Sequence, residues 1–362
     1  MKTKSIVAPS SLIKSTLIGV LIFALLVSVY EGLIRFTDLG PANHLRSKGV
    51  YHHQFEIKWY ALQDFVQKND GVDVILLGNS MVNTGIDPEI LGQRYEYRTG
   101  IHLRIFNFGV EGLTIAPNAA LAQLLVEEYH PDVLLFWTEM RDYTAANGVE
   151  VEEQFLADEW ITARRGGKTT LRAWLKEESA LVEYVLPYRN WSRDDFLDTF
   201  LNNQYRTSAT TESGYEADLF PDGEAWVPPD PEDPAEQDLF TMFSDYSMDS
   251  GRLANLVELL SVSCNGTRVM ITELPLHPNY YVYFNDPAAH DKYVEELIPF
   301  ITDRDGMFLP PLPSELIPDA FRSDYYHLNY QGAMIYSALL ADQLAELCLN
   351  EDICLVSTEQ SE

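Results

Sequence analysis

Positive charge is scarce in this chain of 362 residues: Lys and Arg total 25 against 55 Asp and Glu, a formal net charge of -30. Such a surface repels nucleic acid over most of its area, which excludes nucleic acid as a partner. Cysteine is scarce as well. Cys264, Cys348 and Cys354 form an odd trio whose spacing matches no zinc pattern. An oxidising compartment permits one disulfide among them, and the sequence leaves the pair open. The adjacent His52 and His53 alone make no metal site. No metal and no cofactor are therefore expected.

Long apolar runs are also missing, with one exception. From Leu17 to Ile34 the chain is apolar apart from Ser28 and Glu31, close to the length of about 20 residues that a membrane span needs. Lys2, Lys4 and Lys14 precede the run, while Arg35, Arg46 and Lys48 follow it among acidic residues. The bias places the N-terminus in the cytoplasm and the rest of the chain outside it. No small-x-small cleavage site follows the run, which favours an uncleaved single-pass anchor in the cell membrane over a signal peptide. The expected organisation is an N-terminus and anchor over 1–36, a connection and helix over 37–70, a main domain over 71–347 with an insertion at about 143–249, and a tail over 348–362.

Within the main domain, strand and helix patterns alternate. "VDVILLGNS" from Val72 reads as a buried strand that ends at Gly78-Asn79-Ser80. A helix over Phe55 to Val66 precedes it, with Phe55, Trp59, Leu62 and Val66 at helical spacing. Asp87-Pro88-Glu89 opens a short helix through Leu91, the carboxylate capping and the proline at the first helical position. "LRIFNFG" from Leu103 and "PDVLLFW" from Pro131 read as further strands, separated by the helix "APNAALAQLLVEEYH". After the insertion, a helix from Arg252 to Ser261, the strand "TRVMITELPLHP" and a last helix striped by Ile335, Leu339, Leu340, Leu344 and Leu347 resume the rhythm. Strands alternating with helices imply a parallel sheet covered by helices. The insertion breaks that rhythm with helical, aromatic segments such as "EYVLPYRNW" and "SRDDFLDTFLNNQ" and an acidic, proline-rich loop over 212–240. Its role is either padding or a lid shaping a substrate cleft.

A strand ending in a polar hydroxyl is ordinary turn chemistry unless a base stands nearby. "FRSDYYHLNYQG", just before the last helix, supplies Asp324 and His327 three residues apart. A serine nucleophile needs a base, and a histidine base needs an acid that fixes its tautomer and stabilises the imidazolium.

These blocks, in this order, resemble those of the SGNH hydrolases, also called GDSL-type esterases: Gly78-Asn79-Ser80, "NFGVEGLT" from Asn107, "PDVLLFWTEMRD" from Pro131, and Asp324-x-x-His327-x-Asn329. The resemblance covers roughly 71–142 and 250–347, and "LLGNSMVNTGIDPEIL" looks most like membrane-anchored members linked to cell-envelope glycan acylation. It implies a three-layer α/β/α, flavodoxin-like fold with a parallel sheet, to which the transmembrane helix and helical insertion are added. It implies Ser80 as nucleophile, His327 as base and Asp324 as its partner, with the Ser80 and Gly112 N–H groups in the oxyanion hole. Asn107 matches a polar residue of the second block that would bind substrate. In the third block, an ungapped alignment puts Arg141 and Asp142 where the family carries Asn-Asp. Arg141 then either replaces the asparagine as an oxyanion donor or pairs with Glu139, Asp142 or another carboxylate.

The functional expectation is a serine esterase or O-acyltransferase acting on acyl, foremost acetyl, esters of a cell-envelope or secreted polysaccharide. A lipid or small-ester hydrolase is the rival enzyme. The rival from another class is a non-catalytic scaffold or glycan-binding subunit assisting a membrane O-acyltransferase.

Overall fold

A computed structural model describes residues 9–36, 46–50, 52–144, 149–186, 197, 201, 204–219, 227, 247–283, 288–351 and 353–356. Most of "SRDDFLDTFLNNQ", most of the acidic loop, the end of "EYVLPYRNW" and much of the tail lie outside these residues.

Five parallel strands form one sheet in the order β2-β1-β3-β4-β5. They are β1 (Val74–Gly78), β2 (Ile105–Gly109), β3 (Val133–Trp137), β4 (Arg268–Thr272) and β5 (Met307–Phe308). Every residue of β1, β2 and β3 is buried, which is why they read as unbroken apolar runs rather than alternating ones. Val74 lies opposite both Ile105 and Val133, so β1 is flanked in register on both sides. The chain steps from β1 to β2 in one direction, then crosses back to β3. With right-handed crossovers, this reversal puts successive helices on opposite faces and opens a crevice between β1 and β3 at their carboxyl ends.

The helices follow their sequence signals, with differences at the ends. Helix α1 (Pro9–Phe36) contains the apolar run, and its stretch from Leu12 to Phe36 is long and apolar enough to cross a membrane. Helix α2 spans His53–Asn69, α3 spans Ser80–Gly85 and α4 spans Pro88–Thr99. Asp87 caps α4 as expected, its Oδ1 accepting from the Glu89 and Ile90 N–H groups at 2.9 and 3.2 Å. The helix continues two turns past Leu91 to Gly100, where Tyr95 is buried in the core and Arg94 and Arg98 both bind Asp342. Helix α5 spans Ile115–Tyr129. The insertion contributes α6 (Val149–Leu156), α7 (Glu159–Arg164), α8 (Leu171–Glu178) and α9 (Ala180–Val185). After it come α10 (Ser250–Leu260), α11 (Ala289–Thr302) and α12 (Tyr330–Glu351). Helix α12 packs on α4 and α10 on α5. Leu340 and Leu344 of the expected stripe are buried, while Ile335, Leu339 and Leu347 pack at its margin. The disulfide joins Cys348 to Cys354 and leaves Cys264 free and exposed.

The insertion is fastened to the sheet. Strand β2 lies at the edge, and the Asn107 N–H there donates to Ser213 O at 2.8 Å. Gly214 sits at φ 85°, and a Cβ on it would lie 2.3 Å from Asn107 O, so no side chain fits. Fully buried Lys58 donates to Asn107 O at 3.1 Å and to Gly214 O, clamping the two segments together. Burial holds this amine down to about 7, against the charges of Glu216 and Glu111 that favour its protonated form.

Candidate active site

Ser80 is the first residue of α3, immediately past the end of β1. Asn79 caps that helix: its Oδ1 accepts from Met81 N–H at 2.9 Å, and its carbonyl accepts from Val82 and Asn83 N–H at 3.1 Å. The helix lies directly on β2, since a Cβ on Gly109 would stand 2.3 Å from Asn83 N. A polar cap and a close backbone approach thus present the Ser80 hydroxyl at the carboxyl edge of the sheet. The Ser80 N–H has no acceptor among the described residues, as befits the first turn of a helix.

The loop before α12 brings the other two groups. Asp324 Oδ1 accepts from the Tyr326 and His327 N–H groups at 2.8 and 2.7 Å, folding the loop around the carboxylate. Its Oδ2 faces His327 Nδ1 at 2.7 Å, and His327 Nε2 lies 2.8 Å from Ser80 Oγ. Burial pushes the Asp324 carboxyl up, but bonds from the His327 ring and the two backbone N–H groups more than offset this, so it sits below its usual range. An ionised Asp324 makes Nδ1 the protonated nitrogen and leaves Nε2 to accept from the serine. Asn329 holds the loop to α12, accepting from Gln331 and Gly332 N–H at 3.1 Å and donating to Ala320 O at 3.1 Å.

Two of the remaining expected site residues are placed elsewhere. Asn107 does not line the cleft: it lies within β2, fully buried, with Nδ2 donating to Val82 O and Ile86 O at 2.7 and 2.8 Å and Oδ1 accepting from Gly109 N–H. It is a brace between β2 and α3, because a buried amide must satisfy its donors locally. Arg141 is committed to Glu139, donating through Nε at 2.8 Å and through a terminal nitrogen at 2.6 Å. Burial opposes the Arg141 charge, and the Glu139 carboxylate more than restores it. Asp142 is buried and accepts from Glu139 N–H at 3.0 Å, and burial and then the Glu139 charge push its carboxyl up to about 8. Gly112 lies in the exposed turn after β2 at φ 71°, and its N–H has no acceptor among the described residues.

Glu139 was expected only as one candidate partner for Arg141, and its contacts reach further into the site. It accepts from Asn79 Nδ2 at 3.2 Å and from the Tyr280 hydroxyl at 2.8 Å. Its partner Arg141 lies over the Tyr326 ring at 4.6 Å, and that ring packs against His327 at a tilt of 49° with centroids 4.3 Å apart. One buried ion pair therefore touches both the cap of the Ser80 helix and the support of the His327 ring.

Ser80 and His327 open into a cleft of about 780 Å³, lined also by Thr84, Glu111, Tyr205 and the segment from Glu216 to Leu219. Tyr205 and that segment come from the insertion, which is therefore a wall of the cleft rather than padding. The wall is tied at both ends of the reacting pair: Glu216 N–H donates to Asn83 O at 3.3 Å, and Asp218 Oδ2 accepts from Ser323 Oγ at 2.6 Å. No group of His, Cys, Asp and Glu suited to a metal ion occurs among the described residues.

No protein-family model matches the chain, and no curated protein matches it. Among solved structures, it is similar to a gut microbial diltiazem-metabolizing enzyme at 12% identity and a TM-score of 0.32, over 76% of this chain and 47% of that one. The chain thus spans about half the length of that enzyme.

Proposed function

We propose that the chain is a membrane-anchored serine esterase or O-acyltransferase of the SGNH type, acting on acyl, foremost acetyl, esters of an extracytoplasmic polysaccharide. The observation that carries this reading is the continuous Asp324–His327–Ser80 relay, with links of 2.7 and 2.8 Å, at the mouth of an open cleft. The strand order supports a flavodoxin-like sheet, whose ligands sit at the crevice that Ser80 borders.

In this reading Ser80 Oγ attacks the ester carbonyl as its proton passes to His327 Nε2, and Asp324 stabilises the imidazolium. The tetrahedral oxyanion takes the unpaired Ser80 N–H, with Gly112 N–H as second donor. Collapse expels the sugar alkoxide, which takes the proton from His327 and leaves acyl-Ser80. Water then yields hydrolysis, and a sugar hydroxyl yields transfer. Tyr205, 68% exposed at the cleft, offers a ring face for a sugar.

A fluorophosphonate probe tests the reading: the full chain should label strongly, and Ser80→Ala should not. Absence of labelling on folded protein would overturn it in favour of a scaffold serving a membrane O-acyltransferase. With labelling secured, acetate release from isolated envelope glycan, with and without added acceptor, separates esterase from transferase.

A further inference from the structure

The end of α1 is bound to the insertion. Glu31 accepts from Ser179 Oγ at 2.8 Å and from the Ala180 and Leu181 N–H groups at 2.8 and 3.0 Å, so a carboxylate near the end of the apolar helix caps α9. Arg35 pairs with Glu31 at 2.7 Å and donates to Glu178 O, the last residue of α8. A carboxylate in an apolar run is costly unless its bonds are met. Here they are met by the junction between α8 and α9, which places that junction at the level where the span ends.

We infer that α8 lies on the bilayer surface, with Leu171 and Trp174 seated at the boundary between headgroups and acyl chains of the membrane that α1 crosses. The inference rests on reading α1 as a span, and it is independent of the chemistry at Ser80. The orientation of α8 is fixed by its inner face, where buried Lys176 donates to Asp158 Oδ2 at 2.8 Å and to Gly49 O at 3.2 Å, and Ala173 is buried beside it. The outer face then presents Leu171, 72% exposed, and Trp174, 50% exposed, three residues apart and on the same side. Trp174 stands one turn, about 6 Å, before Glu178, and Leu171 about 10 Å before it. Both are thus within a headgroup layer's reach of the span's end. Tryptophan favours that layer because its ring is apolar and its indole N–H polar.

Charge points to the same occupant. In a chain of net charge -30, Arg164, Arg165, Lys168 and Arg172 fall together at and just before the start of α8. Arg164 and Arg165 are held by Glu128, Glu177 and Glu258, while Lys168 and Arg172 are exposed, Arg172 reaching Glu159 only at 3.6 Å. Two exposed cations flanking two exposed apolar side chains on a short amphipathic helix suit an anionic lipid surface.

The test uses the full chain in a Cys264→Ser background, which removes the exposed thiol and keeps the Cys348–Cys354 disulfide. Single nitroxide labels are placed at Leu171→Cys, Trp174→Cys, Leu21→Cys in the span and Tyr97→Cys, which is 80% exposed on α4. The protein is reconstituted in vesicles of phosphatidylcholine and phosphatidylglycerol, and each label's collisions with oxygen and with a water-soluble nickel chelate are compared. Labels at 171 and 174 should collide preferentially with oxygen, as at 21, while the label at 97 meets the nickel chelate. If 171 and 174 behave like 97, or are shielded from both reagents by protein, the inference fails while the span stands. If the label at 21 meets the chelate freely, the span fails and the inference with it.

Discussion

Two arginine–carboxylate pairs occupy opposite ends of the same sheet. Asp73 and Arg104 precede β1 and β2, where Asp73 Oδ2 accepts from Arg104 N–H at 2.7 Å and Oδ1 from its Nε at 3.0 Å. Glu139 and Arg141 follow β3. The first pair is the more open, with side chains 31% and 9% exposed for arginine and acid, against 15% and 3% in the second. At the starts of the strands Arg104 also donates to the Asn69 and Asp70 carbonyls and feels the Asp70 and Asp132 charges, so the pair fastens β1 to β2. At their ends the same chemistry reaches Asn79, Tyr280 and Tyr326, and through them the supports of Ser80 and His327. The neighbours, not the pair, determine whether an ion pair serves stability alone or also geometry.

Three substitutions sharpen that contrast. The largest effect is expected from His327→Gln, which should lower turnover by about a thousandfold or more, the scale of lost acid–base catalysis, with little change in melting temperature. Asp324 sits below the usual carboxylate range, so it stays ionised and keeps its bond to the His327 ring at mildly acidic pH. Near wild-type turnover in His327→Gln would remove the relay. Next comes Arg141→Ala, which strands a buried Glu139. A loss of about 3–5 kcal/mol is expected by denaturant unfolding, with a drop in kcat of roughly tenfold as the two supports loosen. Adding Glu139→Gln should restore part of the stability. A kcat loss of about a hundredfold or more with stability intact would instead make Arg141 an oxyanion donor. The smallest effect belongs to Asp73→Asn, which should cost about 1 kcal/mol and leave kcat unchanged. A kcat loss there would erase the distinction between the two ends.

The sheet and the Asp324–His327 pair were legible from local signals, whereas Ser80 joined the pair through a serine's need for a base and the order of the blocks. The runs over Val74–Gly78 and Val133–Trp137 are apolar throughout, and Asp324 and His327 sit within one turn, so spacing alone brings them together. β5 is two residues long, too short for any periodicity. Helix α4 outran its expected end because "GQRYEYRT" is polar, and what holds it, Tyr95 buried in the core and the distant Asp342, is not marked by any local period. Asn107 was misplaced because a motif position conveys residue type, not direction, and in the middle of β2 the side chain turns into the core. Tyr205 and Glu216 reach the site from far along the chain, and nothing local marks them, while Glu139 is marked locally only by its pairing with Arg141 and not by its bond to Asn79.

Gly214 and Lys58 have a bearing on how the chain is made. Were the insertion a removable module, cutting it out would leave a finished sheet behind. Instead its excision would bare the edge of β2, a ready template for strand-to-strand aggregation, and would leave the Lys58 amine one carbonyl short. The same holds during synthesis: β2 emerges from the ribosome about a hundred residues before Ser213 and Gly214, the segment that covers it. At ~5–20 residues per second, that edge stands open for about 5 to 20 seconds, and the nascent sheet has to remain unpaired until its own later segment arrives.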